Sequence, residues 1–324
     1  MILPRLMVIL LCCCGLARTL YAAELQHDTV AGFGGVPLAV VQAGNRAGPP
    51  IVFVHGGSQA TQAWNKQLSD AALGSAFHLI AFDLRGHGAS GKPWQDDAYG
   101  ADPFAGDIRA VIDATTADKV VLVAWSYGGS VALAYVRKFG LERVAGINIT
   151  ASRSAFGPST RRAELSAAER AVLDNRSAAM RSDSLAVNAA ATRDFIGDLT
   201  ATPLEASSLA EFVMFNMMTP AYVRRAMRTF RPDNRNLGAQ LTGPVLISHG
   251  AADKLVSVKD AQRIHRLIAG SRLSVYEGVG HMPFYEHPER FNRELADFVR
   301  EVNIADAENN ILAPRSHNPS LNTP

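Results

Sequence analysis

Six short runs of mostly apolar residues, rich in Val and Ile, recur along the 324-residue chain. Most of them contain almost no polar residue, which is typical of parallel strands buried on both faces of a sheet. Segments with helical periodicity lie between them and predict, together with the runs, an α/β protein with a doubly wound, mostly parallel sheet. The runs span residues 50–56, 78–84, 119–126, 143–150, 244–250 and 272–278, and the helical segments span 102–114, 130–139, 258–268 and 288–302.

Two stretches depart from this alternation. Residues 34–44 are expected to form an extra strand at the edge of the sheet. Residues 151–241 are rich in Ala and Arg, helical in period and without strand-like runs, and are expected to form a helical cap over one edge of the sheet. The predicted division of the chain is a signal peptide (1–23), an α/β core in two parts (24–150 and 242–303), the cap (151–241) and a polar, flexible tail (304–324).

The N-terminal residues have the layout of a secretory signal peptide. Arg5 supplies a positive charge, residues 6–17 are apolar but too short to span a bilayer comfortably, and Ala22 and Ala23 suit a cleavage site, with Ala17 as an alternative. Cleavage predicts a secreted or periplasmic protein without stable membrane association. The alternatives are a lipid-modified cysteine or a retained anchor, and an anchor would keep the chain on membranes through high-salt and carbonate washing.

The three cysteines, Cys12–Cys14, all lie in that segment. The mature chain would therefore contain no disulfide, no zinc–thiolate site and no cysteine nucleophile. Removal of residues 1–23 also removes Arg5 and Arg18 and no acidic residue, which leaves 30 basic and 30 acidic side chains. This neutral balance gives no support for nucleic-acid binding.

Ser126 follows the run at 119–126 and stands in a small-x-Ser-x-Gly pattern formed with Ala124 and Gly128. A sharp strand-to-helix turn brings the two backbones together, so small residues are needed on both sides, and the turn exposes the hydroxyl. The same pattern occurs in plain βα turns, and by itself it leaves both interpretations open.

Asp253 and His281 each follow a later predicted strand. Because ligands of open α/β sheets bind at the carboxyl ends of the strands, Ser126, Asp253 and His281 are expected to meet there. A hydroxyl, a base that accepts its proton and an acid that orients the imidazole are the groups that nucleophilic catalysis requires. His287 is the competing base, but it precedes Pro288 and is interpreted as the start of a helix.

The backbone N–H groups of Gly57 and Tyr127 are candidate donors to an oxyanion. Gly57 follows the run at 50–56, and Tyr127 follows the candidate nucleophile. A tetrahedral intermediate needs donors at such positions. An ordinary tight turn at Gly56–Gly57 is the alternative.

The ordered motifs HGGSQATQAW, DLRGHGAS, AWSYGG, SHGAADKLV and GVGHMPFYEHPERF resemble the α/β-hydrolase superfamily, in particular its esterase and non-haem haloperoxidase-like branch, over about residues 30–302. The resemblance implies a Ser126 nucleophile, an Asp253 acid and a His281 base. It also implies oxyanion donors at Gly57 and Tyr127 and structural roles for Asp83, Arg85 and His87. The sequence contains no metal-ligand set and no Gly-rich phosphate loop, so no cofactor or metal is expected. Ala124 departs from the Gly usual in the family, and Ser126 argues against epoxide hydrolases and dehalogenases of this fold.

Two stretches of the predicted cap bear on the substrate. Residues 211–220 are dense in Phe and Met, and form either a buried cap helix or a flexible apolar lid. Residues 222–235 carry five Arg and one Asp, and form either a solvated helix face or an anchor for an anionic substrate. The candidate pocket residues are Trp125, Phe212, Met214, Phe215 and Met218.

The sequence thus predicts a serine hydrolase that cleaves carboxylic esters or lactones of small, largely apolar molecules through an acyl-enzyme. Amide or C–C bond hydrolysis with the same triad is an alternative. A non-catalytic small-molecule receptor on the same fold is the alternative from another class.

Overall fold

The computed structural model describes residues 25–312, and their side chains as far as Ile304. The predicted signal peptide and residues 313–324 lie outside the described residues. Eight strands form a single sheet in the order β1-β2-β4-β3-β5-β6-β7-β8. β2 pairs antiparallel with β1 and β4, and the other pairs are parallel, which confirms the predicted fold class. The strands are β1 (Gln26–Ala31), β2 (Pro37–Gly44), β3 (Pro50–Val54), β4 (His78–Phe82), β5 (Val120–Trp125), β6 (Val144–Thr150), β7 (Val245–Gly250) and β8 (Arg272–Tyr276).

All six apolar runs form strands, but the predicted edge strand is not at the edge. Residues 37–44 form β2, which lies between β1 and β4, and β1 is the edge strand. β1 has the sequence QHDTVA and is almost wholly exposed, so it has no apolar run that would reveal it. Polar edge strands of this kind resist pairing with other chains.

Helices cover both faces of the sheet because neighbouring residues of each strand point to opposite sides. Val52 and Val54 of β3 pack in one cluster with α3, α4 and α10, whereas Ile51 and Phe53 pack in the other with α1, α2, α11 and α12. The helices are α1 (Asn65–Leu68), α2 (Ala71–Ala76), α3 (Ala101–Asp113), α4 (Tyr127–Phe139), α5 (Thr160–Glu164), α6 (Ala167–Ala179), α7 (Leu185–Gly197), α8 (Ala206–Met217), α9 (Ala221–Ala226), α10 (Val258–Leu267), α11 (Pro283–Glu286) and α12 (Pro288–Leu312), with short 3-10 turns between some of them.

Between β6 and β7 the chain forms α5–α9 and, in these fully described residues, no strand. We call residues 151–241 the insertion. Its helix starts are encoded locally: Ser166 and Glu169 form a capping box at the start of α6. No helix within residues 25–312 is long and apolar enough to cross a membrane.

The last helix differs from the prediction at its end. α12 runs to Leu312, past the expected end at Val302 and into the segment expected to be a tail. The helical residues after Val302 include two Ala, one Glu and one Leu, which favour helix and offset the weaker Asn residues.

The DLRGHGAS segment connects elements of the core. The carboxylate of Asp83 accepts hydrogen bonds from the backbone N–H groups of Thr61 and Ala89, both at 2.7 Å. Arg85 forms a buried, bidentate ion pair with Asp107 of α3 at 2.6 Å. These contacts tie the loop after β4 to α3 and to the loop after β3.

Candidate active site

Ser126 occupies a strained turn between β5 and α4. Its φ of 55° and ψ of −116° lie in a region that non-glycine residues rarely adopt. Gly128 is required there because a Cβ at this position would lie 2.5 Å from the carbonyl oxygen of Val54 and 2.6 Å from that of His55. The small-x-Ser-x-Gly pattern therefore reflects the close approach of α4 to the end of β3.

Asp253 and His281 are joined by a short hydrogen bond. Nδ1 of His281 donates to Oδ2 of Asp253 at 2.7 Å, and both side chains are almost completely buried. Since a carboxylate only accepts, the imidazole proton is on Nδ1 and Nε2 is left free to take a proton. The backbone N–H groups of Leu255 and Val256 donate to the other oxygen of Asp253, at 2.7 and 2.9 Å.

Opposing effects act on the pKa of Asp253. Burial raises it, but the charge of His281 and the hydrogen bonds to the carboxylate outweigh burial, so the pKa lies below its ordinary value. His249 is a second neighbour, with Nε2 at 3.4 Å from Oδ2 of Asp253 and at 2.9 Å from the carbonyl oxygen of Val256. Asp253 thus remains an ionised acceptor that can stabilise a positively charged His281.

Trp125 brings the His281 loop against the turn that carries Ser126. Its indole Nε1 donates to the carbonyl oxygen of His281 at 2.9 Å, and the two ring centroids are 5.7 Å apart. Because Trp125 and Ser126 are consecutive, this contact ties the loop that carries His281 to the residue before Ser126. The competing His287 is exposed, and its carbonyl oxygen accepts from the N–H of Phe291 at the start of α12.

Glu286 was not singled out in the sequence, although it lies in the GVGHMPFYEHPERF motif. Its two carboxylate oxygens accept hydrogen bonds from the backbone N–H groups of Gly280 and Ala201, both at 2.8 Å. Burial raises its pKa above the ordinary value, against the lowering effect of these bonds. The residue clamps the loop that carries His281 to the insertion, and no local sequence pattern signals such a contact.

The loop after β3 lies against the same turn. A Cβ at Gly56 would be 3.3 Å from Cβ of Ser126, and a Cβ at Gly57 would be 3.4 Å from Cβ of Tyr127. The structure therefore brings Gly57 and Tyr127 together. His55 holds the loop, because its Nδ1 donates to the carbonyl oxygen of Gly56 at 2.7 Å while Nε2 accepts from the N–H of Leu84 at 3.0 Å.

The five candidate pocket residues differ in burial. Trp125, Phe212 and Phe215 are core side chains that are at most 2 % exposed, whereas Met214 and Met218 are 66 % and 43 % exposed. Helix α8 thus buries its Phe residues and exposes Met214, and Met218, which follows the helix, is also exposed. The sequence pattern indicated an apolar stretch but not which face of it would be buried.

A different set of residues forms a cleft of about 400 Å³ next to the turn. Gly57 and Ser58 line it from the core, Leu173 and Met180 from the region of α6, and Met227 from the turn after α9. We call it the Gly57 cleft. Its other lining residues are Arg162, Asp174, Arg176, Ser177, Arg181, Phe195, Arg224 and Leu255.

Comparison with known proteins agrees with this architecture. A structure from Burkholderia cenocepacia, provisionally assigned as an aryl esterase, is 32 % identical, covers 86 % of this chain and 99 % of its own, and has a TM-score of 0.78. An esterase from Rhodococcus sp. ECU1013 is 29 % identical, with coverages of 85 % and 99 % and a TM-score of 0.76. The non-heme chloroperoxidase of Streptomyces lividans is 26 % identical over 270 residues, which are 79 % of this chain and 94 % of the relative.

The family model of the alpha/beta hydrolase fold matches residues 49–288, a range that includes Ser126, Asp253 and His281. This match confirms the resemblance that the ordered motifs predicted. The chain belongs to the α/β-hydrolase family.

Proposed function

We propose that this hydrolase cleaves carboxylic esters or lactones of small molecules through an acyl-enzyme formed on Ser126. The observation that carries the proposal is the 2.7 Å hydrogen bond between His281 and Asp253, on a loop that Trp125 holds against the Ser126 turn. The relatives named as esterases support an ester substrate.

In the acylation step, Nε2 of His281 takes the proton of the Ser126 hydroxyl as Oγ attacks the carbonyl carbon. Asp253 stabilises the imidazolium that results. The N–H groups of Gly57 and Tyr127 donate to the developing oxyanion. Collapse of the intermediate breaks the C–O bond, and His281 gives its proton to the leaving alcohol.

Deacylation repeats these steps with water as the nucleophile. His281 takes a proton from water, the hydroxide attacks the acyl carbon, and Ser126 leaves with the proton returned by His281. The carboxylic acid is released. We further propose that the insertion caps this site, since its residues supply much of the lining of the Gly57 cleft.

Fluorophosphonate labelling with mass-spectrometric mapping of the labelled residue tests the proposal. We expect the label on Ser126, and we expect Ser126→Ala to lower kcat for a simple ester by at least about a thousandfold. Ser130→Ala, in the first turns of the same helix, is the matched control and should keep activity and labelling. Full esterase activity in Ser126→Ala would contradict the proposal, and tight ligand binding without turnover or labelling would favour a receptor.

A further inference from the structure

The Gly57 cleft is strongly basic, although the mature chain is predicted to be close to neutral. Four arginines and one aspartate line it: Arg162, Arg176, Arg181, Arg224 and Asp174. The question is which of these cations are already neutralised by the protein and which remain available to a ligand.

Two of the four arginines have carboxylate partners. Arg162 donates to both oxygens of Asp174, at 3.0 and 2.7 Å. Arg176 pairs with Asp198 at 2.5 Å. These two arginines are held by the protein itself and add little net charge to the cleft.

Arg224 is different because it is buried without a carboxylate. Only 6 % of the residue is exposed, and its guanidinium donates to neutral acceptors that include Asn216, Thr219 and Thr192. No carboxylate of the described residues forms an ion pair with it. Burial lowers its pKa to about 10, so it is still a cation at neutral pH. A buried charge without a counter-ion is unfavourable, and an anion in the cleft would stabilise it.

Arg181 lines the cleft, and Arg228 lines an adjoining pocket that shares Met227 with it. Arg181 donates to Oγ of Ser177 at 2.6 Å, and Arg228 directly follows Met227, which lines the cleft. Within the described part of the chain, neither guanidinium forms an ion pair with a carboxylate. Burial, and to a lesser extent the charge of Arg228, lowers the pKa of Arg181. The two cations are therefore close enough to repel each other.

Guanidinium groups that have no carboxylate partner are suited to bind an anion. A guanidinium presents several N–H donors in a plane that matches a carboxylate, and the resulting charge-assisted hydrogen bonds are stronger than neutral ones. Gly57, which is a proposed oxyanion donor, and Arg181, which is a cation, line the same cleft. A substrate lying in it would therefore meet a proposed oxyanion donor, Gly57, and a cation without a carboxylate partner, Arg181, together.

We propose that the Gly57 cleft selects esters that carry a carboxylate remote from the scissile bond. Arg181 and Arg228 bind that carboxylate, and Arg224 adds attraction from within the cleft wall. This specificity rests on the proposed serine-hydrolase function, because it is defined relative to the ester bond that Ser126 attacks. It departs from the expected largely apolar substrate.

The test compares monoethyl adipate with ethyl adipamate, its neutral amide counterpart of nearly the same shape. We expect kcat/KM to be about tenfold or more higher for the anionic ester at low ionic strength. The preference should decline as NaCl is added, because salt screens charges at a cleft that is open to solvent. Monoethyl succinate and monoethyl suberate extend the comparison to shorter and longer chains.

Substitutions of single arginines test which residues cause the preference for the anionic ester. Arg181→Gln and Arg228→Gln should each reduce the ratio of the two kcat/KM values by up to about tenfold. Arg181→Lys should retain part of the ratio, since it keeps the charge but not the planar donor set. Arg193→Gln removes an exposed arginine of α7 that does not line the cleft and should leave the ratio as it is in the unaltered protein.

Equal kcat/KM values for the two esters would overturn the inference, as would a ratio that neither Arg181→Gln nor Arg228→Gln changes. If the protein hydrolyses neither ester and Ser126 is not labelled, the proposed function itself fails. The cleft is then tested alone by thermal unfolding with adipate or adipamide. Stabilisation by adipate that Arg181→Gln abolishes supports the anion site, and no stabilisation by adipate rejects it.

Discussion

Ser126 is held at a φ of 55° by contacts on both sides of the turn. Its N–H donates to the carbonyl oxygen of Thr150 at 3.0 Å, and its own carbonyl oxygen accepts from Oγ of Ser152 at 2.5 Å. A strained residue persists only where its surroundings leave it no alternative. Substitutions that add even one methyl group beside this turn are therefore expected to have large effects on stability and activity.

Gly128→Ala tests this directly. The added methyl group would lie 2.5 Å from the carbonyl oxygen of Val54, and neither backbone can move without disturbing the sheet. We expect the free energy of unfolding to fall by about 2 kcal/mol or more, with loss of hydrolytic activity, measured by chemical denaturation and ester turnover. Gly197→Ala, at the end of α7 with open space around it, is the control and should be neutral or stabilising by about 0.5–1 kcal/mol.

A candidate catalytic residue could be predicted where its position along the chain is itself the signal. Ser126, Asp253 and His281 could be singled out because each follows an apolar run, and such runs mark strand ends. Glu286 could not, since its partners are the N–H groups of Gly280 and Ala201, and Ala201 is far from it in the chain.

At the level of elements, the position of His281 depends on three separate segments. Its N–H donates to the carbonyl oxygen of Leu199 in the insertion, its carbonyl oxygen accepts from Trp125, and Glu286 bridges the neighbouring Gly280 to Ala201. The loop after β8 is therefore fixed by β5, by α11 and by the insertion together.

Glu286→Gln should loosen this loop. One carboxylate oxygen becomes an NH₂ group that faces a backbone N–H, so a buried donor loses its acceptor. We expect kcat/KM to fall by about tenfold to a hundredfold and the free energy of unfolding to fall by about 1–3 kcal/mol. Glu289→Gln, an exposed change in the first turn of α12, is the control, and equal losses in the two variants would contradict the proposed clamp.

Elements with an apolar pattern were predictable and those without one were not. Five of the six strands in the parallel part of the sheet are buried along their whole length, so their mostly apolar sequences reveal them. β1 is exposed and polar, and its place at the edge depends on pairing with β2. The exposed face of α8, which carries Met214, was likewise decided by packing against the core.

At the scale of the whole molecule, His55 and His87 are two of the histidines that the fold buries. The rings of His55 and His87 have centroids 5.1 Å apart. Burial lowers the pKa of His55 from 6.5 to about 4, and burial together with the nearby His55 lowers that of His87 to about 3. Both are neutral in the folded protein at neutral pH.

These shifts predict a loss of stability in acid. Between pH 6.5 and about 4 the unfolded chain binds protons at these two positions that the folded chain does not, so unfolding becomes easier as the pH falls. The stabilisation that comes from keeping these histidines neutral is complete above pH 6.5. Below that pH the free energy of unfolding declines by up to about 1.4 kcal/mol per pH unit for each histidine. Denaturant unfolding at a series of pH values measures it.

His87→Asn isolates the contribution of one group. Asn can still donate to the carbonyl oxygen of Arg85, as Nδ1 of His87 does, but it does not titrate. The variant should lose stability less steeply below pH 6.5. His27→Asn, at an exposed position of β1, should follow the unaltered protein, and a His87→Asn profile as steep as that of the unaltered protein would count against the buried-histidine explanation.

The sequence by itself determined the fold class and the order of the candidate catalytic residues along it, because buried parallel strands and tight strand-to-helix turns need particular residues at neighbouring positions. The contact between His281 and Asp253, the burial of Arg224 without a carboxylate and the exposure of Met214 were decided only by the tertiary structure. Contacts of this kind join segments far apart in the chain, and packing settles which faces meet. VVLVAWSYGG was therefore readable as a turn that presents a serine, whereas the basic cleft beside it was visible only once the chain had folded.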